Sequence, residues 1–261
     1  MTAELIMSEV RDGVGVATFN RPELMNAFTD DMRWELLSAL ERFSVDDEVR
    51  CIVLTGAGRA FCAGGDIASM VALQDNDDTG VVQDRMRAGA QVVRLLAEVP
   101  KPTVAAVNGP AAGAGMNVAL ACDMRVASDR ALFSESFVKI GLVPDWGGFR
   151  SLTQLVGTAK AMELMMTGDR VDAPTAERLG LVNHVYPHET FEKEWWGFAR
   201  RLAAGPSGTL AEIKRGVRIG AEGSLDDALA HEYDAQSAVF LSADAREGMR
   251  AFLEKRPPDF A

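Results

Sequence analysis

The sequence predicts an α/β domain followed by a helical C-terminal part. Three observations carry this reading. Short β-branched runs alternate with segments of helical period through the first half of the chain, two glycine-rich turns each follow a buried run, and beyond about residue 157 nearly every segment is helical in period. The expected division is an α/β core over residues 1–195 and a helical domain over 196–261.

The elements follow in order. Apolar runs at 5–10 and 14–19 flank Arg11-Asp12-Gly13, and Asp-Gly between two such runs is a strong hairpin signal. Asn20-Arg21-Pro22 is a loop, after which Thr29 is placed to cap a helix reaching Phe43, with Met32, Leu36, Leu37, Leu40 and Phe43 on one face. Residues 49–55 (VRCIVLT), bounded by Gly56, read as a buried parallel strand. Residues 103–107 and 124–127 read the same way, with helical patterns over 81–98 and 113–121 between them, so that helices cross over to cover a sheet. The acidic, turn-rich run 74–80 is expected to be a mobile loop. Helices are then expected over 158–167, 173–178, 188–204, 206–220, 224–240 and 242–254, with residues 181–186 alone resembling a strand.

Composition narrows the function. The chain has 261 residues, 48% of them hydrophobic and 25% charged, as in ordinary globular proteins. Lys and Arg number 27 against 38 Asp and Glu, a net charge of −11, so no basic face is available to neutralise nucleic-acid phosphates. No stretch reaches the roughly 18–20 uncharged apolar residues that a membrane span requires. Residues 1–10 carry Glu4 and Glu9 and no basic region, unlike a secretory signal. Cys51, Cys62 and Cys122 are odd in number and far from CxxC spacing, and the histidines show no metal-ligand spacing. A cytoplasmic enzyme without a bound metal is the expectation.

The two glycine-rich turns are residues 56–67, after the strand at 49–55, and 108–115, after the strand at 103–107. Neither is a dinucleotide fingerprint, because the third glycine position of GxGxxG is Phe61 in one and Val118 in the other. Neither is a P-loop, since no Gly-Lys-Ser/Thr follows. Small residues at a strand's end can also aim bare backbone N–H groups at a ligand. Two such turns at neighbouring strand ends could converge on one oxygen and form an oxyanion hole, each donor contributing about 3–4 kcal/mol as charge develops. Taken singly, each turn is equally well a tight bend with glycine at positive φ.

Five segments follow in order: Asn20-Arg21-Pro22, Met25-Asn26-Ala27-Phe28, Phe61-Cys62-Ala63-Gly64-Gly65-Asp66, Asn108-Gly109 through Gly113-Ala114-Gly115, and Gly141-Leu142-Val143-Pro144. Together they resemble the enoyl-CoA hydratase/isomerase (crotonase) superfamily over essentially the whole chain. Within it, Ala111-Ala112-Gly113-Ala114-Gly115 and Gly141-Leu142-Val143-Pro144-Asp145 are most similar to the branch that includes 1,2-epoxyphenylacetyl-CoA isomerases. The resemblance implies a spiral of ββα units, a helical C-terminal trimerisation domain, a homotrimer or a hexamer made of two trimers, an acyl-CoA thioester substrate and a place in fatty-acid metabolism. Coenzyme A then belongs to the substrate, and no separate cofactor is expected. The resemblance further puts the two oxyanion donors on the backbone N–H groups of Ala63 and Ala114. It lines the substrate site with Met25, Ala27, Gly64, Gly65, Asp66, Ile67, Gly113, Asn117, Phe137, Trp146 and Phe252. Arg21, Arg59, Lys255 and Arg256 are candidates for the coenzyme A phosphates.

Departures from the family pattern bear on the reaction. Hydratases of the family activate water with two glutamates, and those positions here are Asn117 and Phe137, neither of which has a useful acid–base couple. Glu135 is the one substitute within reach, although its expected role is that of a solvated or subunit-contact residue. Asp145, in Pro144-Asp145-Trp146-Gly147-Gly148, is where double-bond isomerases of the family commonly hold an acid. Isomerising a 3-enoyl to a 2-enoyl thioester moves one proton from Cα to Cγ through a dienolate, which a single carboxylate can do. Aromatic neighbours would raise its pKa and make it a better base. The competing role for Asp145 is capping the helix that starts near Gly147, and for Asp66 it is capping the helix that it opens. The expectation is therefore enoyl-CoA isomerisation. Hydration or ring-epoxide isomerisation is the first alternative, and an acyl-CoA-binding protein of weak activity is the second. Cys62 has no histidine near it in sequence and is not expected to be a nucleophile. Trp195 and Trp196 are expected to pack the C-terminal helices together.

Overall fold

Strands β1 (Ile6–Arg11) and β2 (Val14–Phe19) form the expected antiparallel hairpin, turned by Asp12 and Gly13, both at positive φ. The computed structural model describes residues 4–260, so the start of the reading over residues 1–10 lies outside the described residues. β3 (Cys51–Gly56), β4 (Thr103–Val107), β6 (Met124–Ser128) and β9 (His184–Tyr186) continue the sheet in parallel, in the order β1-β2-β3-β4-β6-β9. A second, small sheet joins β5 (Ala111–Ala112), β7 (Leu132–Ser134) and β8 (Val171–Asp172).

Alternation along the central strands divides the core in two. Ile52, Leu54, Ala105 and Val107 face Phe19, Phe28, Leu36, Phe61 and Phe133 on one side of the sheet. Helices α1 (Asp30–Val45), α3 (Thr79–Glu98) and α4 (Ala114–Ala121) contribute to this side. Thr29 caps α1 as expected, its side chain accepting from Met32 N at 3.2 Å. On the other side, Val14, Val16, Cys51, Val53, Val104, Ala106 and Val126 meet Phe191, Trp195, Ala199 and Ala203 of α7 (Phe191–Ala203).

That packing of α7 changes two expectations. The division at 195/196 cuts through α7, whose apolar stripe lies on the sheet, so residues 196–203 go with the core. Trp195 and Trp196 likewise pack α7 onto the sheet side, with the Arg11 guanidinium 3.8 Å from the Trp196 ring centre, and do not join the later helices together. The supposed loop at 74–80 is a link of three residues between α2 (Ile67–Asp75) and α3, with Asp78 capping α3 through Val81 N at 3.1 Å. The helix expected from 158 begins ten residues earlier, as α5 (Gly148–Thr167), and is broken at Gly157, whose φ is 76°. After α6 (Ala173–Arg178), the strand read over 181–186 shortens to β9, because Leu181 and Val182 enter the core as loop residues. Beyond α7 come α8 (Ser207–Glu222), α9 (Leu225–Phe240) and α10 (Ala243–Glu254). Lys214 ties α8 to the core through Asp123 at 2.8 Å and the Leu96 carbonyl at 2.8 Å. Among the described residues, no helix is long and apolar enough to cross a membrane.

Candidate active site

The first glycine turn runs between two partners. On one edge, Phe61 N and Cys62 N both donate to the Pro110 carbonyl (3.1 and 3.2 Å), and Ala112 N donates to the Cys62 carbonyl (3.0 Å). On the other edge, Ala63 N donates to the Met25 carbonyl (3.0 Å), Phe28 N to the Gly64 carbonyl (2.7 Å) and Asp66 N to the Phe28 carbonyl (3.0 Å). The Met25–Phe28 segment is itself held by Asn26, a fully buried side chain whose Nδ2 reaches the carbonyls of Ala57, Ala60 and Phe61 at 2.8–3.1 Å.

This pairing corrects one of the two expected donors. The N–H of Ala63 is engaged by Met25 and faces away from the second turn. A trans peptide sets its carbonyl and N–H on opposite sides, and the described residues contain no cis bond. The Gly64 carbonyl points at Phe28, so the Gly65 N–H points the other way, toward the 110–114 edge, and it carries no hydrogen bond among the described residues. The expected donor in the second turn holds. Ala114 is the first residue of α4, its N–H is likewise unpaired, and the preceding Gly113 carbonyl accepts from Asn117 N at 3.0 Å. Two glycines let the turns close on each other. A Cβ on Gly115 would stand 2.1 Å from the Cys62 carbonyl oxygen. One on Gly64, where φ is +97°, would stand 2.8 Å from the Ala112 oxygen and 3.6 Å from Ala114 N. The donors facing this crevice are therefore the amides of Gly65 and Ala114.

Polar atoms without partners gather beside those amides. Asn117 is fully buried on α4, and its Nδ2 donates to the Asp145 main-chain carbonyl at 2.9 Å while its Oδ1 has no partner. Asp145 Oδ1 is buried without a partner, and burial pushes this carboxyl up to about 6 against the opposing pull of the Arg33 guanidinium. The capping role for Asp145 does not hold. Gly147 is the cap of α5 with no side-chain bond to it, and only the Asp145 carbonyl serves there, accepting from Gly148 N at 3.0 Å.

Glu135 differs most from its expected place. It is 1% exposed, neither solvated nor at the surface, and neither of its carboxyl oxygens has a hydrogen-bond partner. β7 pairs with β5, and Gly113 N donates to the Ser134 carbonyl at 2.9 Å, which brings Glu135 in beside the second turn. Burial pushes its carboxyl up to about 7, with Asn117 drawing it down and the Asp145 charge driving it up.

The aromatic and cationic surroundings are equally specific. Trp146, at φ 48°, is buried and stacks on Phe28 with ring centres 4.8 Å apart. Phe137 is buried against the second turn, 3.6 Å from where a Cβ on Gly113 would stand. Arg33, on the apolar face of α1, is buried, bonds to Asp30 at 3.1 Å and leaves its Nε without a partner. Asp30 also holds the buried Arg85 of α3, with Asp30 Oδ2 accepting from Nη2 at 2.9 Å.

The remaining sequence candidates separate into three groups. Met25 and Ala27 form the loop wall; Asp66 caps α2 through Ser69 N at 3.2 Å, and Ile67 is exposed at the start of that helix. Arg21 is committed to the protein, binding Asp66 at 2.6 Å and the Ala27 carbonyl at 3.1 Å, and its side-chain hydrogen bond holds the Asp66 carboxyl below the usual range. It is thus a clamp between the loop and the turn, not a free phosphate ligand. Arg256 is similarly taken, by Glu247 at 2.6 Å and Glu254 at 2.7 Å. Arg59 is exposed within the first turn, with no side-chain bond among the described residues. Phe252 and Lys255 lie exposed at the end of α10, which rests on α9, and no hydrogen bond of theirs among the described residues reaches the core. Cys62 is buried and its thiol is pushed up to about 12, which removes it as a nucleophile. Two hollows, of about 480 and 760 Å³, lie along α8 around Lys214 and Arg218, away from both turns.

Comparison with known proteins follows the same lines. The sequence profile described as enoyl-CoA hydratase/isomerase matches residues 9–261. The chain is 42% identical to a probable enoyl-CoA hydratase of Rhodobacter capsulatus, over all of this chain and 99% of the other. It is 41% identical to the 1,2-epoxyphenylacetyl-CoA isomerase of Escherichia coli, over 98% of both chains. Its fold is that of the crystal structure of an enoyl-CoA hydratase from Polaromonas sp. JS666, with a TM-score of 0.93 at 34% identity over 98% of this chain and 99% of the other.

Proposed function

Because the chain belongs to the enoyl-CoA hydratase/isomerase family, we propose that it shifts the double bond of an enoyl-CoA thioester through an enolate, with Asp145 carrying the proton. The observation that carries this reading is the Asp145 carboxylate, half-buried, unpaired at Oδ1 and fixed through its main chain by Asn117. Seated between the two turns, the thioester oxygen accepts from the N–H groups of Gly65 and Ala114. Removal of the Cα proton then places charge on that oxygen, where each donor contributes about 3–4 kcal/mol. A carboxylate with a pKa near 6 is ionised at neutral pH yet basic enough to take that proton and return it at Cγ. Asp145→Asn removes the base and keeps the volume. The expected result is loss of Cα–H exchange and of isomerisation on 3-enoyl-CoA, with acyl-CoA binding retained. Near-full activity in this variant would refute the assignment.

Hydration is the second reading, as the name of the Rhodobacter relative suggests, and one observation favours it. Glu135 supplies a second buried carboxyl, although Asn117 and Phe137 occupy the positions of the family's water-activating glutamates. Loss of the conjugated thioester absorbance when 2-enoyl-CoA is added separates the two readings. A ring-epoxide thioester belongs in the same panel because of the Escherichia coli relative, and tight binding without turnover on every thioester would mark a binding protein. We also propose a homotrimer or a pair of trimers. Exposed apolar residues on α9 and α10, among them Tyr233, Phe240, Phe252 and Leu253, fit burial against neighbouring copies. Monomers alone in sedimentation at micromolar concentration would refute it.

A further inference from the structure

Glu135 has no structural task that its surroundings explain. A carboxyl that is 1% exposed, with no donor bonded to either oxygen, destabilises the fold when ionised. Among the described residues, the other buried side-chain atoms left without partners are Asn117 Oδ1, Asp145 Oδ1 and Arg33 Nε. Glu135 directly follows β7, Asn117 lies on α4 and Asp145 in the turn before α5, so three separate segments bring unpaired polar atoms to one place. Asn117 joins the other two. Its amide bonds the Asp145 main chain at 2.9 Å and neighbours the Glu135 carboxyl.

We propose that Glu135 is a second proton-holding group of this site, sharing one proton with Asp145 across Asn117. The inference rests on the isomerase reading, since Asp145 is what touches the substrate and Glu135 acts through it as a positioning residue. At rest the single proton sits on Glu135, which is 1% exposed, and the ionised group is Asp145, which is only half-buried and faces the Arg33 guanidinium. Asp145 then takes the Cα proton, the C–H electron pair passes into the enolate, and the pair of carboxyls holds two protons. Those two exchange places between the acids. Asp145 returns one to Cγ as the new double bond forms between Cα and Cβ, and the pair again holds one. No oxidant or further reactant enters.

Isotope retention tests this. With 3-enoyl-CoA deuterated at Cα, a lone Asp145 returns the same deuteron to Cγ, whereas one exchange with a protonated Glu135 cuts the retained label to about half. In water the wild-type enzyme is expected to retain about half or less. Glu135→Gln, which holds no exchangeable acid, is expected to raise retention about two-fold, and Glu135→Asp to restore the wild-type value. A merely structural role would alter stability or rate in Glu135→Gln and leave retention unchanged. Near-complete retention in the wild-type enzyme overturns the proposal even if no variant folds, and so does equal retention in wild type and Glu135→Gln. Either result leaves the isomerase reading intact. Absence of isomerisation in the wild-type enzyme overturns that reading and this inference with it.

Discussion

Asn117 holds Asp145 by its main chain, through a 2.9 Å bond from Nδ2 to the carbonyl oxygen, and leaves the carboxylate free. An aspartate placed in this way is fixed in position without having its charge quenched by the group that fixes it. Removing the amide releases the turn before α5. Asn117→Ala is expected to cost about 1–3 kcal/mol of stability, the usual range for a lost buried hydrogen bond. It is also expected to lower kcat at least ten-fold with a smaller change in KM. Denaturant unfolding and initial rates on 3-enoyl-CoA check the pair of effects.

The pH–rate profile follows from the Asp145 carboxyl. A base with a pKa of about 6 is lost to protonation below that pH, so kcat/KM for isomerisation is expected to fall about ten-fold per pH unit under pH 6 and to level off above it. The facing groups are Arg33 from α1, whose own partner Asp30 is shared with Arg85 of α3, and Glu135 beyond β7. Arg33 draws the Asp145 carboxyl down, so Arg33→Met is expected to move the acid limb to higher pH. An unmoved limb in a folded Arg33→Met variant would contradict this.

Stability has the opposite pH dependence at Glu135. Its carboxyl is raised from 4.5 to about 7 by burial, so the folded state binds this proton more tightly than the unfolded chain does. Glu135's favourable contribution is complete below pH 4.5 and is lost as pH rises through 7. Glu135→Gln cannot ionise. Relative to wild type it is expected to gain up to about 3 kcal/mol between pH 5 and pH 8, read from urea unfolding at the two values.

Gly115 decides whether the two turns can meet. A methyl group there would stand 2.1 Å from the Cys62 carbonyl oxygen, so Gly115→Ala forces the turns apart. If the amides of Gly65 and Ala114 work together on one oxygen, separating them is expected to cost about 10²–10³ in kcat, the loss typical of one oxyanion donor. Acyl-CoA affinity should change far less, and calorimetric binding alongside turnover distinguishes the two.

Much of this architecture was legible in the sequence where one residue type has one physical use. Asp12-Gly13 turns the hairpin, Thr29 caps α1, and uninterrupted apolar runs become β3, β4 and β6. The small sheet was not legible, because β5, β7 and β8 are two or three residues long and show no period. Sequence points to Ala63 and not to Gly65 as a donor because the direction of an N–H depends on peptide planes, here on the positive φ of Gly64, which residue type does not reveal. By residue type Glu135 reads as a surface residue, as glutamate usually is, and only the β5–β7 pairing turns it inward. Arg33 does carry a signal in the sequence, as a charged side chain on the same α1 face as Leu36, Leu37 and Leu40.

Asn26 stitches the loop that carries Met25 and Phe28 to three carbonyls of the first turn, using an uncharged amide. Such a seam is indifferent to ionic strength and to acidity over the range in which the carboxyls of Asp145 and Glu135 titrate. The turn keeps its outline while the proton inventory of the two acids changes, so in this protein acidity is registered as chemistry and not as a change of shape.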